Sequence, residues 1–251
     1  MIRMIMHGCN GAMGQTIAKI VEQEADIQIV AGVDLDTEEK NGFPVYPSLR
    51  EVAAEADVVV DFSCAQAVDG LLADCRERRL PVVVCTTGLS KEQIAGLEET
   101  ARETAVLRSA NMSLGVNTLL KLVAEAARVL AGAGFDMEIV EKHHDQKLDA
   151  PSGTALALAD SMNRAMDDGY HYIYDRSQRR QKRDKKEIGI SAVRGGSIVG
   201  EHDVIFAGKD EVVIFSHTAY SKAIFAKGAV EAAKYLAGKE AGLYTMADVI
   251  G

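Results

Sequence analysis

The sequence predicts an α/β protein with two domains, and three observations support this. First, apolar β-rich runs such as residues 57–62 (DVVVDF) and 81–85 (PVVVC) alternate with helical patterns over the first half of the chain. This alternation is typical of a parallel sheet whose strands are joined by right-handed helical crossovers. Second, three strand-like runs follow one another late in the chain, which favours a mixed or antiparallel sheet in an α+β domain. Third, aromatic residues make up only 5% of the chain, so the core is aliphatic and suits sheets packed between helices.

The elements of the first half follow in order. Strands are predicted at residues 2–7, 27–33, 57–62, 81–85 and 105–109. Helices are predicted from about 13 to 24, near 65–79, after residue 90 and over 116–130. Ser90 with Gln93 three residues later is typical of a capping box at a helix start. The valine run at 57–62 is continuous enough to be buried on both faces of a sheet.

The second half contains predicted strands at 137–141, 187–193, 199–206 and 211–215, and helices at 151–166 and 223–236. The last helix is expected to return to the first domain. The predicted first domain therefore comprises residues 1–113 and 223–251, and the second domain comprises residues 114–222.

Charge disfavours one class of function. The 251 residues carry 28 Lys and Arg against 37 Asp and Glu, a net charge of -9, and such a surface repels phosphate backbones on average. The basic run 176–186 (RSQRRQKRDKK) has no interleaved aromatic residue for base stacking, so a solvated loop is favoured over an RNA-binding patch. We expect no nucleic-acid partner.

Cysteine usage and hydropathy indicate the compartment. Cys9, Cys64, Cys75 and Cys85 show neither a CxxC pair nor a histidine at zinc spacing, which favours free thiols in a reducing cytosol. The apolar run at the N-terminus is too short for a signal peptide before glycines interrupt it. No stretch of roughly 18 apolar residues exists, so no membrane span is expected and the protein is predicted to be cytoplasmic.

Glycines punctuate the turn between the first predicted strand and the first predicted helix. Gly8, Gly11 and Gly14 have the spacing GxxGxxG, a variant of the dinucleotide fingerprint GxGxxG. Glycines at this place allow a tight turn and let backbone N–H groups approach a pyrophosphate at the helix N-terminus. On the glycines alone, a simple strand-to-helix turn stays an alternative.

Asp34 lies at the end of the second predicted strand, where a carboxylate accepts hydrogen bonds from an adenosine ribose. A carboxylate that caps a turn is the alternative. Together with the glycines and the strand order, Asp34 predicts dinucleotide binding. The next residue is Leu35, and Ala12 is uncharged, so no cation is evident for a 2′-phosphate. NADH is therefore favoured over NADPH, which stays possible.

Two later loops belong to the same site if the sheet is parallel, because ligands bind beyond the carboxyl ends of the strands. These loops are Cys85-Thr86-Thr87-Gly88 and Ser109-Ala110-Asn111-Met112. Their hydroxyls and amide are suited to hydrogen-bond a nicotinamide carboxamide. Ordinary turn chemistry and helix capping are the alternative for both loops.

The segment 141–154 (EKHHDQKLDAPSGT) concentrates ionisable side chains. In an extended segment His143 and His144 face opposite sides, which indicates different roles, one as a proton donor and one at the ligand. A zinc site is the alternative, which we disfavour because adjacent residues rarely converge on one metal and no HExxH or cysteine partner is present. We predict no metal.

Residues 151–154 (PSGT) are expected to open a helix, with the proline near its first turn. Free N–H groups, the helix dipole and two hydroxyls form a site for a carboxylate or phosphate, and Lys147 adds a positive charge. The segment predicts a small anionic substrate that carries carboxylates. A well-capped helix with surface histidines is the alternative.

These motifs together resemble the 4-hydroxy-tetrahydrodipicolinate reductase (dihydrodipicolinate reductase) family. The run EKHHDQKLDAPSGTA at 141–155 is similar to the family signature, and the resemblance extends along essentially the whole chain. It includes GCNGAMG at 8–14, DFS at 61–63, CTTG at 85–88, SANMSLGVN at 109–117, RGG at 194–196, GEH at 200–202 and the stretch 221–228.

The resemblance implies a Rossmann domain, an α+β substrate domain and a homotetramer formed through the substrate-domain sheets. It implies the NAD(P)H-dependent reduction of 4-hydroxy-tetrahydrodipicolinate to tetrahydrodipicolinate in diaminopimelate and lysine biosynthesis. Matched by motif, the cofactor-binding residues are Gly8, Cys9, Asn10, Gly11, Ala12, Met13, Asp34, Cys85, Thr86, Thr87, Ser109, Ala110, Asn111 and Met112. The catalytic residues are His143, as proton donor, and Lys147, and the residues that hold the dicarboxylate are His144, Ser152, Gly153 and Thr154.

Two positions depart from the family pattern. The family usually has arginine where this chain has Lys222, and many members have a basic residue at the position of Ala12. The first affects a contact near the cofactor or substrate, and the second again favours NADH. Another reductase of the same plan and a catalytically inert NADH-binding sensor are the alternatives. Hydride transfer implies domain closure, with hinges expected near 110–115 and 219–223.

Overall fold

The computed structural model describes all residues, Met1–Gly251. The chain forms two compact units. Unit 1 comprises Met1–Leu114 and Ala223–Gly251, and unit 2 comprises Gly115–Lys222. The chain thus leaves unit 1 after its first 114 residues and returns to it at residue 223.

Twelve strands and seven α-helices build the two units. The strands are β1 (Ile2–His7), β2 (Ile27–Val33), β3 (Val45–Tyr46), β4 (Val58–Asp61), β5 (Val82–Val84), β6 (Ala105–Arg108), β7 (Asp136–His143), β8 (His171–Tyr174), β9 (Glu187–Arg194), β10 (Gly200–Ala207), β11 (Val212–Ala219) and β12 (Gly242–Tyr244). The helices are α1 (Ala12–Val21), α2 (Ala65–Arg78), α3 (Lys91–Thr100), α4 (Leu114–Leu130), α5 (Gly153–Arg164), α6 (Ala223–Leu236) and α7 (Met246–Ile250).

Unit 1 contains a seven-stranded sheet in the order β12-β6-β5-β4-β1-β2-β3, and all of its neighbouring strands are parallel. The three valines of β4 are completely buried because α1 and α6 cover one face of the sheet and α2 and α3 cover the other. In a parallel sheet all the carboxyl ends lie at one edge. The glycine turn after β1 and the loops after β2, β4, β5 and β6 therefore share that edge.

Unit 2 contains a five-stranded mixed sheet in the order β11-β10-β7-β9-β8. The central strand β7 pairs antiparallel with β10 and parallel with β9. Alternate residues of β7, ending with Glu141 and His143, are buried on the face that packs with α4 and α5. On the edge strand β11 the alternate residues Val212 and Ile214 are each 56% exposed. The two sheets confirm the predicted fold class.

Several element ends differ from the prediction for local reasons. Strand β7 continues to His143, two residues past the predicted end, because it pairs with β9 up to that residue. Helix α5 begins at Gly153, since the Ser152 side chain caps it by accepting a hydrogen bond from the helix backbone. Pro151 therefore precedes the cap and does not lie in the first turn. Helix α1 ends at Val21, three residues before the predicted end.

Three short edge strands and the last helix were not predictable from the sequence. Strands β3, β8 and β12 have two, four and three residues, and α7 has five. Segments this short show no periodicity, and their strands exist because they pair with neighbouring strands at the sheet edges. No helix of the chain has the length and apolar character needed to cross a bilayer.

The basic run 176–186 forms ion pairs within unit 2. Arg183 donates hydrogen bonds to the carboxylates of Asp136 and Glu138, at 3.2 and 2.8 Å. Arg176 forms an ion pair with the buried carboxylate of Glu187. The expectation of a solvated loop is therefore wrong for these two arginines, which neutralise carboxylates at the beginning of β7 and β9.

Candidate active site

The glycine turn of unit 1 requires its glycines. Gly8 follows β1 with a φ of +82°, and a Cβ atom there would lie 2.6 Å from the carbonyl oxygen of Phe62. A Cβ atom on Gly14 would lie 2.3 Å from the Gly8 carbonyl oxygen. Gly11 is the N-cap of α1, and no side chain caps this helix. The turn is therefore compact, and the first N–H groups of α1 remain available to an anion.

Asp34 directly follows β2 and anchors the glycine turn. Its Oδ2 accepts a hydrogen bond from the backbone N–H of Asn10 at 2.9 Å, and its Oδ1 accepts one from the N–H of Asp36 at 3.3 Å. The Asn10 side chain donates to the carbonyl oxygens of Asp36 and Glu38, at 2.6 and 2.9 Å. Each carboxylate oxygen has a second lone pair, so Asp34 keeps the capacity to accept a ribose hydroxyl.

The loop after β2 carries a cation that the sequence analysis missed. Lys40 Nζ lies 2.6 Å from an oxygen of Asp36 and 3.6 Å from an oxygen of Glu38. The ion pair lowers the pKa of the Asp36 carboxyl and raises the pKa of the Lys40 amine. In the sequence, the spacing of four residues between Asp36 and Lys40 was the feature that indicated this ion pair.

A cleft of about 600 Å³ opens beside the glycine turn. Its lining includes four predicted cofactor residues, Gly8, Asn10, Gly11 and Asp34, together with His7, Val33, Leu35, Asp36, Pro47, Phe62, Ser63, Cys64, Gln66 and Ala67. Cys9 is completely buried, and burial raises the pKa of its thiol to about 11, so only its backbone is available to a ligand. Ala12 and Met13 are the first two residues of α1.

A second missed feature of this cleft is a buried carboxylate at the end of β4. Asp61 Oδ1 lies 2.7 Å from His7 Nδ1 and accepts hydrogen bonds from the backbone and hydroxyl of Ser63, at 3.1 and 2.6 Å. Asp61 is completely buried, whereas His7 and Ser63 line the cleft. In the sequence, the polar residues His7 and Asp61 at the ends of two predicted buried strands were the feature that indicated this contact.

The two later loops follow β5 and β6 at the same sheet edge. Thr86 is buried and its hydroxyl has no hydrogen-bond partner, whereas Thr87 is exposed. Burial raises the pKa of the Cys85 thiol well above its ordinary value. In the second loop Asn111 Oδ1 accepts a hydrogen bond from the Ser113 backbone, Met112 is buried, and Ser109 and Ala110 are more exposed. Contact of these loops with a cofactor stays a prediction.

Unit 2 holds a buried histidine–carboxylate pair. His143 is the last residue of β7, and its Nδ1 lies 2.7 Å from Glu141 Oε2. The two side chains share a face because they lie two residues apart on a strand. The His143 side chain is 11% exposed and the Glu141 side chain is fully buried. Glu141 had no predicted role, although its spacing of two residues from His143 on a predicted strand indicated that the two side chains share a face.

Three groups surround this pair. Arg194 donates one hydrogen bond to each oxygen of Glu141, both at 2.7 Å. Ser152 donates its backbone N–H to Glu141 Oε1 at 2.9 Å, and its Oγ lies 2.9 Å from His202 Nε2. The His202 ring lies edge-on to the His143 ring, with centroids 5.2 Å apart. Burial, followed by the proximity of His143, lowers the pKa of His202 to about 4. His202 is therefore neutral at physiological pH.

The second predicted catalytic residue, Lys147, and the predicted substrate residues lie around the beginning of α5. Lys147 Nζ forms an ion pair with Asp149 Oδ1 at 2.8 Å, which lowers the pKa of the Asp149 carboxyl. The Ser152 hydroxyl is buried as the helix cap, and Gly153 is exposed at the first turn. Thr154 and His144 are partly exposed. No group of three His, Cys, Asp or Glu side chains is arranged to hold a metal ion.

Comparisons with known proteins identify a family that covers both units. Residues 2–112 match the family described as dihydrodipicolinate reductase, N-terminus, and residues 115–250 match its C-terminus. A 4-hydroxy-tetrahydrodipicolinate reductase from Caldanaerobacter subterraneus is 53% identical over 100% of this chain and 98% of its own length. One from Clostridium tetani is 46% identical over 98% of this chain and 96% of its own.

A solved structure shares the fold. The dipicolinate-bound dihydrodipicolinate reductase from Paenisporosarcina sp. TG-14 has a TM-score of 0.82 at 24% identity, covering 98% of this chain and 97% of its own. The DAP dehydrogenase of C. glutamicum has a TM-score of 0.59 at 13% identity, covering 100% of this chain and 95% of its own. From the two family matches and the relatives of 53% and 46% identity, the chain belongs to the dihydrodipicolinate reductase family.

Proposed function

We propose that this chain catalyses the NAD(P)H-dependent reduction of 4-hydroxy-tetrahydrodipicolinate, through dihydrodipicolinate, to tetrahydrodipicolinate in diaminopimelate and lysine biosynthesis. One observation supports this most directly. In a chain of this family, the His143–Glu141 pair lies beside the beginning of α5, where Ser152 donates to the same carboxylate. A proton donor and an anion-binding helix terminus are thus adjacent, as reduction of a cyclic dicarboxylate requires.

Unit 1 is the proposed cofactor domain, and its residues fit NAD(P)H. Gly8 and Gly14 leave no room for a side chain, and the uncapped N-terminus of α1 offers N–H groups to a pyrophosphate. Asp34, which directly follows β2, is the proposed acceptor of the adenosine ribose hydroxyls. When bound, the cofactor supplies a hydride from C4 of its nicotinamide ring. The loops at Cys85–Thr87 and Ser109–Met112 are the proposed contacts of the nicotinamide carboxamide.

Unit 2 is the proposed substrate domain. The substrate ring carries two carboxylates, loses water to give a conjugated system and, after hydride addition, carries an enamine that must be protonated. We assign this protonation to His143 Nε2, because Glu141 occupies the Nδ1 side of the ring. Lys147 exchanges Asp149 for a substrate carboxylate. His144 and the first turn of α5, at Gly153 and Thr154, bind the other substrate oxygens.

Electrostatics of the loop after β2 favour NADH. Asp34 and Asp36 both line the cleft, and the cation of that loop, Lys40, is paired with Asp36. A 2′-phosphate would meet two carboxylates here before it met an unpaired cation. We therefore propose NADH as the preferred cofactor and NADPH as a weaker one.

The open face of the unit 2 sheet supports a homotetramer. Val212 and Ile214 on the edge strand are each 56% exposed, and Val193 of β9 is 46% exposed. Val212 and Ile214 are neighbours on one face of the sheet, and exposed apolar side chains of this kind are typical of an association surface. Light scattering of the purified protein tests this proposal, and a mass other than that of four chains would contradict it.

The assay that tests the function follows nicotinamide oxidation. The substrate is generated in situ from pyruvate and aspartate semialdehyde by the preceding synthase, and NADH and NADPH are compared side by side. Substrate-dependent oxidation, with the larger kcat/KM for NADH, is the expected result. NADH binding without any substrate-dependent oxidation would contradict the substrate assignment and leave the cofactor site standing.

A further inference from the structure

The buried carboxylate of Glu141 accepts four hydrogen bonds from three different parts of unit 2. Its Oε2 accepts from His143 Nδ1 and Arg194 Nη1, each at 2.7 Å. Its Oε1 accepts from Arg194 Nη2 at 2.7 Å and from the backbone N–H of Ser152 at 2.9 Å. One side chain thus joins the proposed proton donor, the strand β9 and the residue that caps α5.

Glu141 remains ionised in this environment. Burial alone would raise the pKa of its carboxyl, but the hydrogen bonds from Arg194, His143 and Ser152 outweigh burial and lower it. An ionised carboxylate has no proton to donate, so its partner at His143 Nδ1 must carry the hydrogen. Glu141 therefore selects the orientation in which Nε2 of the imidazole faces away from the carboxylate.

A second chain of contacts links the same groups. Ser152 Oγ accepts a hydrogen bond from the backbone N–H of Ala155 at 3.1 Å and lies 2.9 Å from His202 Nε2. His202 in turn contacts the edge of the His143 ring. His143, Glu141, Ser152 and His202 thus form a closed ring of contacts, in which a shift of Glu141 disturbs both the imidazole and the helix cap.

We propose that Glu141 is a positioning residue, held by Arg194, that couples the orientation of the proton donor His143 to the orientation of the anion-binding start of α5. The proposal rests on the proposed function, since it concerns the same reaction. Glu141 acts through His143 and Ser152 and does not itself contact substrate. Its loss therefore affects proton transfer and dicarboxylate binding together.

The test compares E141Q with E187Q. Glu187 is a matched control because it is also a buried carboxylate, paired with an arginine, Arg176, and accepting a backbone hydrogen bond from Asp184 at 3.0 Å. For E141Q we expect kcat to fall by about 10- to 100-fold. We expect the Kd of dipicolinate, used as a planar dicarboxylate probe, to rise about tenfold, while NADH affinity in unit 1 stays unchanged.

A spectroscopic readout separates positioning from general damage. In ¹⁵N NMR of the imidazole side chains, wild type and E187Q are expected to keep a hydrogen on His143 Nδ1, so that the proton donated in the reaction is the second one, carried by Nε2 of the imidazolium. E141Q is expected to show neutral His143 as a mixture of both tautomers. E141Q leaves the Arg194 guanidinium without its carboxylate partner, which destabilises the fold. The double variant E141Q/R194Q removes both charges and so avoids this loss of stability. This double variant is expected to fold and to keep the low kcat.

The outcomes are distinct. A kcat within threefold of wild type in E141Q, or equal losses in E141Q and E187Q, would overturn the proposal. An unchanged His143 tautomer in E141Q would overturn it as well. If wild type itself reduced no substrate, the proposed function would fail, and the NMR and dipicolinate measurements would still test the coupling.

Discussion

Gly200 has no side chain, and this makes room for Nε2 of the His143 imidazole. A Cβ atom at position 200 would lie 3.0 Å from this nitrogen, which is closer than ordinary van der Waals contact. Gly200 is the first residue of β10, the strand that pairs with β7. A glycine at this position therefore lets the imidazole keep the orientation that Glu141 selects.

We expect G200A to lower kcat by about tenfold, because the added methyl group displaces the imidazole by a few tenths of an ångström. NADH affinity should not change. The matched control is G195A, since a Cβ atom at Gly195 meets no other atom within 4 Å. Steady-state kinetics decide the point, and equal kcat values for G200A and G195A would contradict the prediction.

His143 itself gives the sharpest kinetic prediction. H143Q should lower kcat by more than about tenfold, since general acid catalysis contributes at least that much. The Kd of NADH should hardly move, because the glycine turn belongs to unit 1. The control is H171Q, at an exposed histidine in β8. Loss of NADH affinity with surviving turnover would instead identify His143 as a structural residue.

Asp34 is expected to govern cofactor affinity. D34A removes the proposed ribose acceptor and the hydrogen bond that anchors Asn10, so the Kd of NADH should rise about tenfold while kcat at saturating NADH changes little. Fluorescence titration with NADH measures the effect. D26N serves as the control, because Asp26 forms an ion pair with Lys234 at 2.7 Å and does not line the cleft. Unchanged affinity in D34A would remove the ribose assignment.

Asp36 is expected to limit the use of NADPH. D36N releases Lys40 from its ion pair, so the ratio of kcat/KM for NADPH to that for NADH should rise several-fold. E38Q is the matched control, because Glu38 lies 3.6 Å from the same Lys40 nitrogen and is the weaker partner. A ratio that rises equally in both variants would show that general negative charge, and not the Asp36–Lys40 pair, sets the preference.

His202 predicts a dependence of stability on pH. Its pKa is about 4 in the fold and 6.5 ordinarily, so between these values the unfolded chain binds a proton that the fold does not. The free energy of unfolding is therefore unaffected by His202 above about pH 6.5 and falls as the pH drops toward 4, by up to about 3 kcal/mol. Among its neighbours, the charges of His143, His217 and Lys147 disfavour protonation and that of Glu141 favours it.

Urea unfolding of wild type and H202Q at pH 7.5 and pH 5 measures this contribution. The loss of stability between the two pH values should be smaller in H202Q. H171Q, at an exposed histidine of the same unit, is expected to behave like wild type. Equal losses in H202Q and wild type would show that other groups control acid unfolding.

Strands and helices with a clear period were predictable from the sequence. The central valine strands and α6 were found at or within a residue or two of their ends, because continuous burial and helical spacing leave a direct pattern. The capping box at Ser90 and Gln93 is present as predicted. Strands β3 and β12 were not predictable, because two or three residues leave no periodic pattern in the sequence.

The candidate site was predictable in its residue types but not in its connections. His143, Lys147 and the start of α5 follow from a dense local motif. Glu141 and Arg194 gained a role only when β7 and β9 paired and brought the guanidinium to the carboxylate. The same holds for His7 and Asp61, which are 54 residues apart and meet because β1 and β4 are neighbours.

The return of the chain to unit 1 has a consequence for the order of folding during synthesis. Helix α6 supplies completely buried side chains to the core beneath β1 and β4, and Glu24 binds both Lys227 and Lys234 of that helix. A nascent chain that ends before residue 223 therefore has an uncovered apolar sheet face in unit 1, while all the residues of unit 2 are already made. Unit 1 therefore completes its folding only after unit 2 has been synthesised, and until then its uncovered apolar face is prone to aggregation.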